Sequence, residues 1–211
     1  MGKNENKTKN KTKKHHAMVA KNDLPLSNTF STEDYHSNDG MLVSVWGPSM
    51  WHCIHTMSFN YPVKPTYEDK VNYYHFLINL RNVLPCGKCR ENLCANLKKL
   101  PLKWSDMENR DNFSKYVYNL HEAVNKMLGK KSGLTYDVVR ERYENFRARC
   151  SVAMERTRKN RGQKKEKGCN EPLVGEKSKC ILRIVPQARK CDSFSIEKEC
   201  IKRRIEKTDQ Q

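Results

Sequence analysis

The chain is short of apolar residues, which make up 36% of its 211 positions, too few for a compact core along the whole length. That length suits one domain plus appendages. No apolar h-region follows the Lys/Asn-rich start, so a secretory signal is not expected. The same segment is poor in arginine, which argues against a mitochondrial transit peptide. Met1-Gly2 could accept a myristoyl group, but Asn6 stands where Ser or Thr is needed. Gly40 to Val63 lacks Asp, Glu, Lys and Arg and has to be weighed as a membrane span. It holds Pro48, His52, His55, Asn60 and Pro62, polar or helix-breaking groups that are costly in hydrocarbon. It therefore reads as a buried helix of a soluble domain, with no membrane span. No solenoid-length repeat is present, and no second C-x-x-C or H-x-x-x-H pair exists to complete a zinc site.

What is present is positive charge, net +17, placed at the ends. Residues 1–21 hold seven lysines against one glutamate. Residues 147–211 hold nineteen Lys and Arg against nine Asp and Glu, so residues 22–146 are almost neutral. Basic ends on a neutral middle read as solvated tails, not as a specific nucleic-acid surface. Nine cysteines, at 53, 86, 89, 94, 150, 169, 180, 191 and 200, are an odd number without a signal peptide. That fits a metal protein or a redox enzyme better than a secreted disulfide scaffold.

The apolar pattern predicts helices over about 48–60, 67–84, 86–99, 108–129 and 136–149. Pro48 suits a first helical position and Pro62 a stop. Val71, Tyr74, Leu77, Leu80 and Leu84 form a stripe at three- and four-residue spacing, broken by Pro85. Phe113, Tyr116, Val117, Leu120, Val124 and Leu128 form another, ended by Gly129. Val139, Tyr143 and Phe146 form the last. Short connections between such helices predict an all-α four-helix bundle with a short fifth helix. The divisions are a disordered basic arm over 1–40, a helical domain over 41–150, a basic linker over 151–168 and a Cys-containing extension over 169–211. Ile181 to Val185 is the only strand-like stretch in that extension.

Cys86 and Cys89 open the third helix. A helix N-terminus favours a thiolate, as disulfide exchange requires. Half of a zinc site is the competing reading, since Cys94 and several histidines are available. Trp51 and His55 stand at i and i+4 on one face, as do His121 and Asn125 on another. A histidine on an apolar face is more often a satisfied core group. Two such pairs facing one interior beside a dithiol instead offer stacking surface and hydrogen-bond donors for a flat heterocycle. Cys53 and Cys94 read as buried single thiols.

The run Trp46-Gly47-Pro48-Ser49-Met50-Trp51-His52-Cys53-Ile54-His55, then Tyr61-Pro62, resembles the Erv/ALR sulfhydryl oxidases. So do Leu84-Pro85-Cys86-Gly87-Lys88-Cys89-Arg90-Glu91-Asn92-Leu93 and the run from His121-Glu122-Ala123-Val124-Asn125 to Lys130. The resemblance covers about 46–148, and the Lys-rich ends look like versions encoded by large DNA viruses. It implies a helical FAD-binding domain that forms a homodimer, without a Rossmann G-x-G-x-x-G turn. It implies that Cys86 exchanges with incoming thiols and that Cys89 is the flavin-proximal cysteine. Trp46, Trp51, His55, Tyr61, His121, Val124, Asn125 and Tyr143 would contact FAD, and Lys130 or Lys131 its phosphates. Cys169–Cys180 and Cys191–Cys200 would be shuttle or structural disulfides. Glu122 departs from the family's usual Asn. Tyr118 and Thr135 stand where many members carry a C-x16-C crosslink, so helix packing has to supply that stability.

The implied activity is oxidation of thiols in a substrate protein or a thioredoxin-like partner, with O2 as final acceptor and H2O2 as product. A viral version would work in host cytoplasm or the virion. The alternative is a zinc-stabilised module with basic arms on nucleic acid. A thioredoxin-like reductase is less well supported, because its C-x-x-C should follow a strand.

Overall fold

A computed structural model of the chain describes residues 31–148, 169, 172–173, 177–191, 194–197 and 200. The disorder expected of residues 1–30, the basic linker at 151–168 and Cys150 lie outside the described residues. Two units are present, Met1–Asn38 and Asp39–Gln211. In the first, α1 (Thr32–Tyr35) is a single turn where disorder was expected. Its cause is a capping box: Ser31 Oγ accepts from Asp34 N–H at 3.0 Å, and the Asp34 carboxylate accepts from Ser31 N–H at 3.1 Å.

The second unit holds α2 (Val43–Phe59), α3 (Tyr67–Val83), α4 (Gly87–Lys99), a 3-10 turn (Trp104–Met107), α5 (Arg110–Met127) and α6 (Tyr136–Glu144). α2 packs on α5 and α6, α3 on α4, and α4 on α5. This is the expected four-helix bundle with a short fifth helix. Among the described residues the only β pairing is an isolated bridge between Ala148 and Pro172. Ile181 to Val185 forms no strand, and Ile181, Leu182 and Ile184 are exposed.

The predicted stripes carry the core. Leu77, Leu80 and Leu84 from α3 and its cap, Leu93 and Leu97 from α4, and Phe113, Tyr116, Val117 and Leu120 from α5 share one buried cluster. Helix starts follow side-chain caps: Thr66 and Asp69 form a second capping box on α3, Asn109 caps α5 and Thr135 caps α6. Leu128 lies past the end of its stripe and is exposed, and Phe146 lies beyond α6.

The first bundle helix departs from expectation. α2 begins at Val43 and runs through Pro48 instead of starting there. Proline has no N–H for the carbonyl of Ser44, but Ser44 and Pro48 are both exposed, so water can satisfy that oxygen. Cys53 is exposed on α2, not buried, and Cys94 is half-buried. Ile54, His55, Ser58 and Phe59 occupy the inward face of this helix, which turns Cys53 outward.

Candidate active site

The dithiol is shaped by Pro85. A residue before proline is driven out of the helical region, and Leu84 leaves α3 at φ −55°, ψ 136°. Cys86 is extended, at φ −156°, ψ 119°, and becomes the N-cap of α4. Its Sγ accepts from Cys89 N–H at 3.3 Å. Arg90 fastens the turn by donating from Nη1 to Leu84 O at 2.6 Å.

Cys86 and Cys89 are both free thiols, but they are not equivalent. Cys86 is held below the ordinary thiol range by the Cys89 S–H and N–H donors, with a smaller contribution from the Arg90 charge. Cys89 is pushed up to about 11, first by burial and then by donating to Cys86. Cys86 is therefore the more acidic thiol of the pair, and Cys89, packed against the core, the more basic.

The second half of the site lies between α2, α5 and α6. His55 Nε2 and His121 Nδ1 share a hydrogen bond at 2.9 Å. Trp51 lies flat on His121, with ring centroids 3.9 Å apart and planes 6° from parallel. Tyr143 stacks on Phe59 at 5.1 Å, and its hydroxyl meets His52 Nδ1 at 3.2 Å. Burial pushes His55 down to about 3, aided by the charges of His121 and His52. Burial likewise pushes His121 down to about 4, with Lys130 adding to the shift. Both rings are thus neutral near pH 7. His55 Nδ1 is buried and without a hydrogen-bond partner.

The end of α5 brings a positive charge back to this wall. Gly129 takes φ 67°, the left-handed conformation that lets the chain reverse. Lys130 N–H then donates to Asn125 O at 2.8 Å. Asn125 Nδ2 donates to Glu122 Oε1 at 2.9 Å, so the glutamate that departs from the family pattern orients the asparagine. Val124 is half-buried on the same helix, and Lys131 is exposed beside Lys130.

The structure thus gathers Trp51, His55, His121, Asn125 and Tyr143, with Lys130 near His121. Two expected contacts lie elsewhere. Tyr61 is fully buried in the core, its hydroxyl donating to Met107 O at 2.8 Å, because the Tyr73 and Phe113 rings enclose it. Trp46 is tied to the dithiol side, its indole N–H donating to Met41 O at 3.0 Å. Among the tail cysteines, Cys169 is disulfide-bonded, whereas Cys180, Cys191 and Cys200 are free. Neither the Cys169–Cys180 nor the Cys191–Cys200 pair is formed.

Sequence reasoning missed His52 and Phe59. His52, His55 and Phe59 are spaced three and four apart on α2, a signal that could have found both. It also missed Phe194 of the extension, whose ring lies 5.7 Å from His52 and 6.2 Å from Phe146. No periodic pattern announces that contact. Among the described residues, no group of three or more His, Cys, Asp or Glu side chains is arranged to hold a metal ion. No helix of these residues is long and apolar enough to cross a membrane.

Residues 48–144 match the family described as Erv1 / Alr. A protein of Acanthamoeba polyphaga mimivirus named "Probable FAD-linked sulfhydryl oxidase" is 44% identical over 43% of this chain and 63% of its own length. An FAD-linked sulfhydryl oxidase of African swine fever virus is 30% identical over 41% of this chain and 70% of its own. The crystal structure of the yeast Erv1 core aligns over 57% of this chain and 95% of its own, at 23% identity and TM-score 0.45. The chain spans less than two thirds of the mimivirus relative but more than two thirds of the swine-fever relative, and the matched segment contains both the dithiol and the histidine wall. The chain belongs to the Erv1/Alr family.

Proposed function

We propose that the protein is an FAD-linked sulfhydryl oxidase that makes disulfides in protein thiols and passes the electrons to O2. The observation that carries this reading is the inequivalent dithiol at the start of α4. Cys86 is the more acidic thiol, while Cys89 is half-buried and holds its proton more tightly. Such a pair can turn over only if something reoxidises it.

The wall between α2, α5 and α6 suits a flavin. His55 Nδ1 is a buried polar atom still lacking a partner, which a ligand hydrogen bond would satisfy. Trp51 and His121 present half-buried aromatic faces of the kind that a flat heterocycle covers. Asn125, held by Glu122, offers its remaining amide and carbonyl groups. Lys130 and Lys131 are exposed cations for phosphate oxygens. Trp51, His55, His121, Val124, Asn125 and Tyr143 would therefore hold FAD. When bound, FAD supplies the two-electron acceptor that reoxidises the dithiol and delivers the pair to O2, giving H2O2.

The protein's own groups do the exchange. In the oxidised enzyme a substrate thiolate attacks Cys86 Sγ, the Cys86–Cys89 bond breaks, and Cys89 leaves as a thiolate. The substrate's second thiolate then attacks the mixed disulfide. The substrate disulfide forms, and Cys86 leaves as a thiolate that the Cys89 N–H stabilises, joined by the Cys89 S–H once Cys89 has taken up the proton released by the substrate's second thiol. Low basicity at Cys86 favours this second departure. The neutral His55–His121 pair places no cation in the wall, so the ring faces remain an apolar, uncharged surface.

The 41–150 segment is the oxidase domain on this reading, and a protein dithiol is its substrate. On the same reading the domain pairs with a second copy. Sedimentation of the purified protein tests the last point, because a monomer at micromolar concentration removes it. Cys86→Ser and Cys89→Ser should each abolish oxygen consumption with dithiothreitol, with the helical circular dichroism unchanged. Full turnover in either variant removes the dithiol from the mechanism.

A further inference from the structure

The segment just before α2 lies against the backbone that carries Cys86. Met41 N–H donates to Pro85 O at 2.7 Å. Met41 O in turn accepts from the Trp46 indole N–H at 3.0 Å, which ties the segment to α2. Between these anchors and the dithiol there is no room. A Cβ on Gly40 would fall 2.9 Å from Pro85 O, 3.0 Å from Cys86 Cα and 3.6 Å from Cys86 Cβ. The first two are backbone atoms, which cannot rotate away as the end of a flexible side chain would. Gly40 is absent from the motifs that carry the family resemblance, and its φ is not in the left-handed region. Its requirement is therefore one of close approach.

The geometry points to Gly40 as a positioning residue for Cys86. The Gly40–Met41 segment is a strap that presses the Pro85–Cys86 peptide into place, so that Cys86 Sγ meets the Cys89 N–H. That hydrogen bond, at 3.3 Å, is close for a sulfur acceptor, so Cys86 is held tightly to its donor. A displacement of Cys86 by a few tenths of an ångström weakens the donor contact that makes Cys86 the reactive thiol. The other fastener of this turn, the Arg90 bond, acts on Leu84 O, one residue before Pro85. The strap is therefore the contact that bears directly on Cys86. This rests on Cys86 being the exchange thiol of the proposed oxidase.

The test uses the full-length flavoprotein, reduced, and reads iodoacetamide labelling of Cys86 and Cys53 by peptide mass spectrometry. Cys53 is exposed on α2 and serves as an internal standard. In Gly40→Ala the Cys86-to-Cys53 labelling ratio should fall about threefold or more, with the Cys53 rate unchanged. General loosening of the fold would raise both rates instead. Gly47→Ala, where the new Cβ would meet only Val43 Cγ2 at 3.6 Å, should leave the ratio at the wild-type value. If Gly40→Ala does not fold, Trp46→Phe decides, since it keeps the ring and releases Met41 O; the ratio should fall in it too. An unchanged ratio in a folded Gly40→Ala, or failing that in Trp46→Phe, overturns the proposal, as does an equal fall in Gly47→Ala. A wild-type protein that consumes no oxygen would sink the oxidase reading but still leave this ratio to be measured.

Discussion

Two thiols three residues apart differ here because one caps a helix and the other lies inside it. Cys86 stands where α4 presents unpaired N–H groups, and Cys89 stands where the bundle begins to exclude water. The histidines show the same control by burial. His55, at about 3, and His121, at about 4, lie far below an unperturbed imidazole. Their folded-state pKa values are depressed, so the unfolded chain binds protons first as pH falls. The stability held by keeping these rings neutral is full above about pH 6.5 and drains away as pH falls toward 4. The ligand-free protein should therefore lose on the order of 4 kcal/mol between pH 7 and pH 5 from this pair, about 2 kcal/mol from each ring. Urea unfolding at the two pH values measures it, and His55→Phe should show a smaller loss. An equal loss in that variant would place the acid sensitivity elsewhere.

At the scale of elements, the bundle replaces a crosslink with contacts. By the family resemblance, Tyr118 and Thr135 stand where a C-x16-C crosslink is expected. Here the Tyr118 hydroxyl donates to Leu134 O at 2.7 Å, and its ring packs edge-on to Tyr136 at 5.8 Å. Thr135 caps α6 instead. Between them these contacts hold the α5–α6 connection. Tyr118→Phe keeps the ring contact and removes the hydrogen bond, so it should lower stability by about 1 kcal/mol. A shift in the urea midpoint without a change in slope would show this, whereas an unchanged midpoint would mean that the bond carries no net stability. The stripes of α3 and α5 were legible in the sequence, since their three- and four-residue spacing survives any tertiary context. The start of α2 was not. Pro48 reads as a first residue on local grounds, but exposure of the Ser44 carbonyl lets the helix run through it.

Across the whole molecule, what could be read from sequence is what local pattern dictates, and what could not is what two distant segments do together. The C-x-x-C and the histidine pairs were visible because each lies on one helix. The removal of Tyr61 to the core depends on Tyr73 and Phe113 arriving from α3 and α5, which no local rule supplies. Nor does any such rule bring Phe194 to His52, 142 positions earlier in the numbering of the same chain. The outward turn of Cys53 likewise follows from which face of α2 the bundle uses.

On the proposed function, the α4 dithiol and the histidine wall serve one flavin. A visible absorption spectrum of the purified protein, before and after anaerobic dithiothreitol, tests it most directly. Flavin bands that bleach on reduction and return when air is admitted are expected. A folded, colourless protein that takes up no added FAD, and whose thiols stay reduced in air, would contradict it.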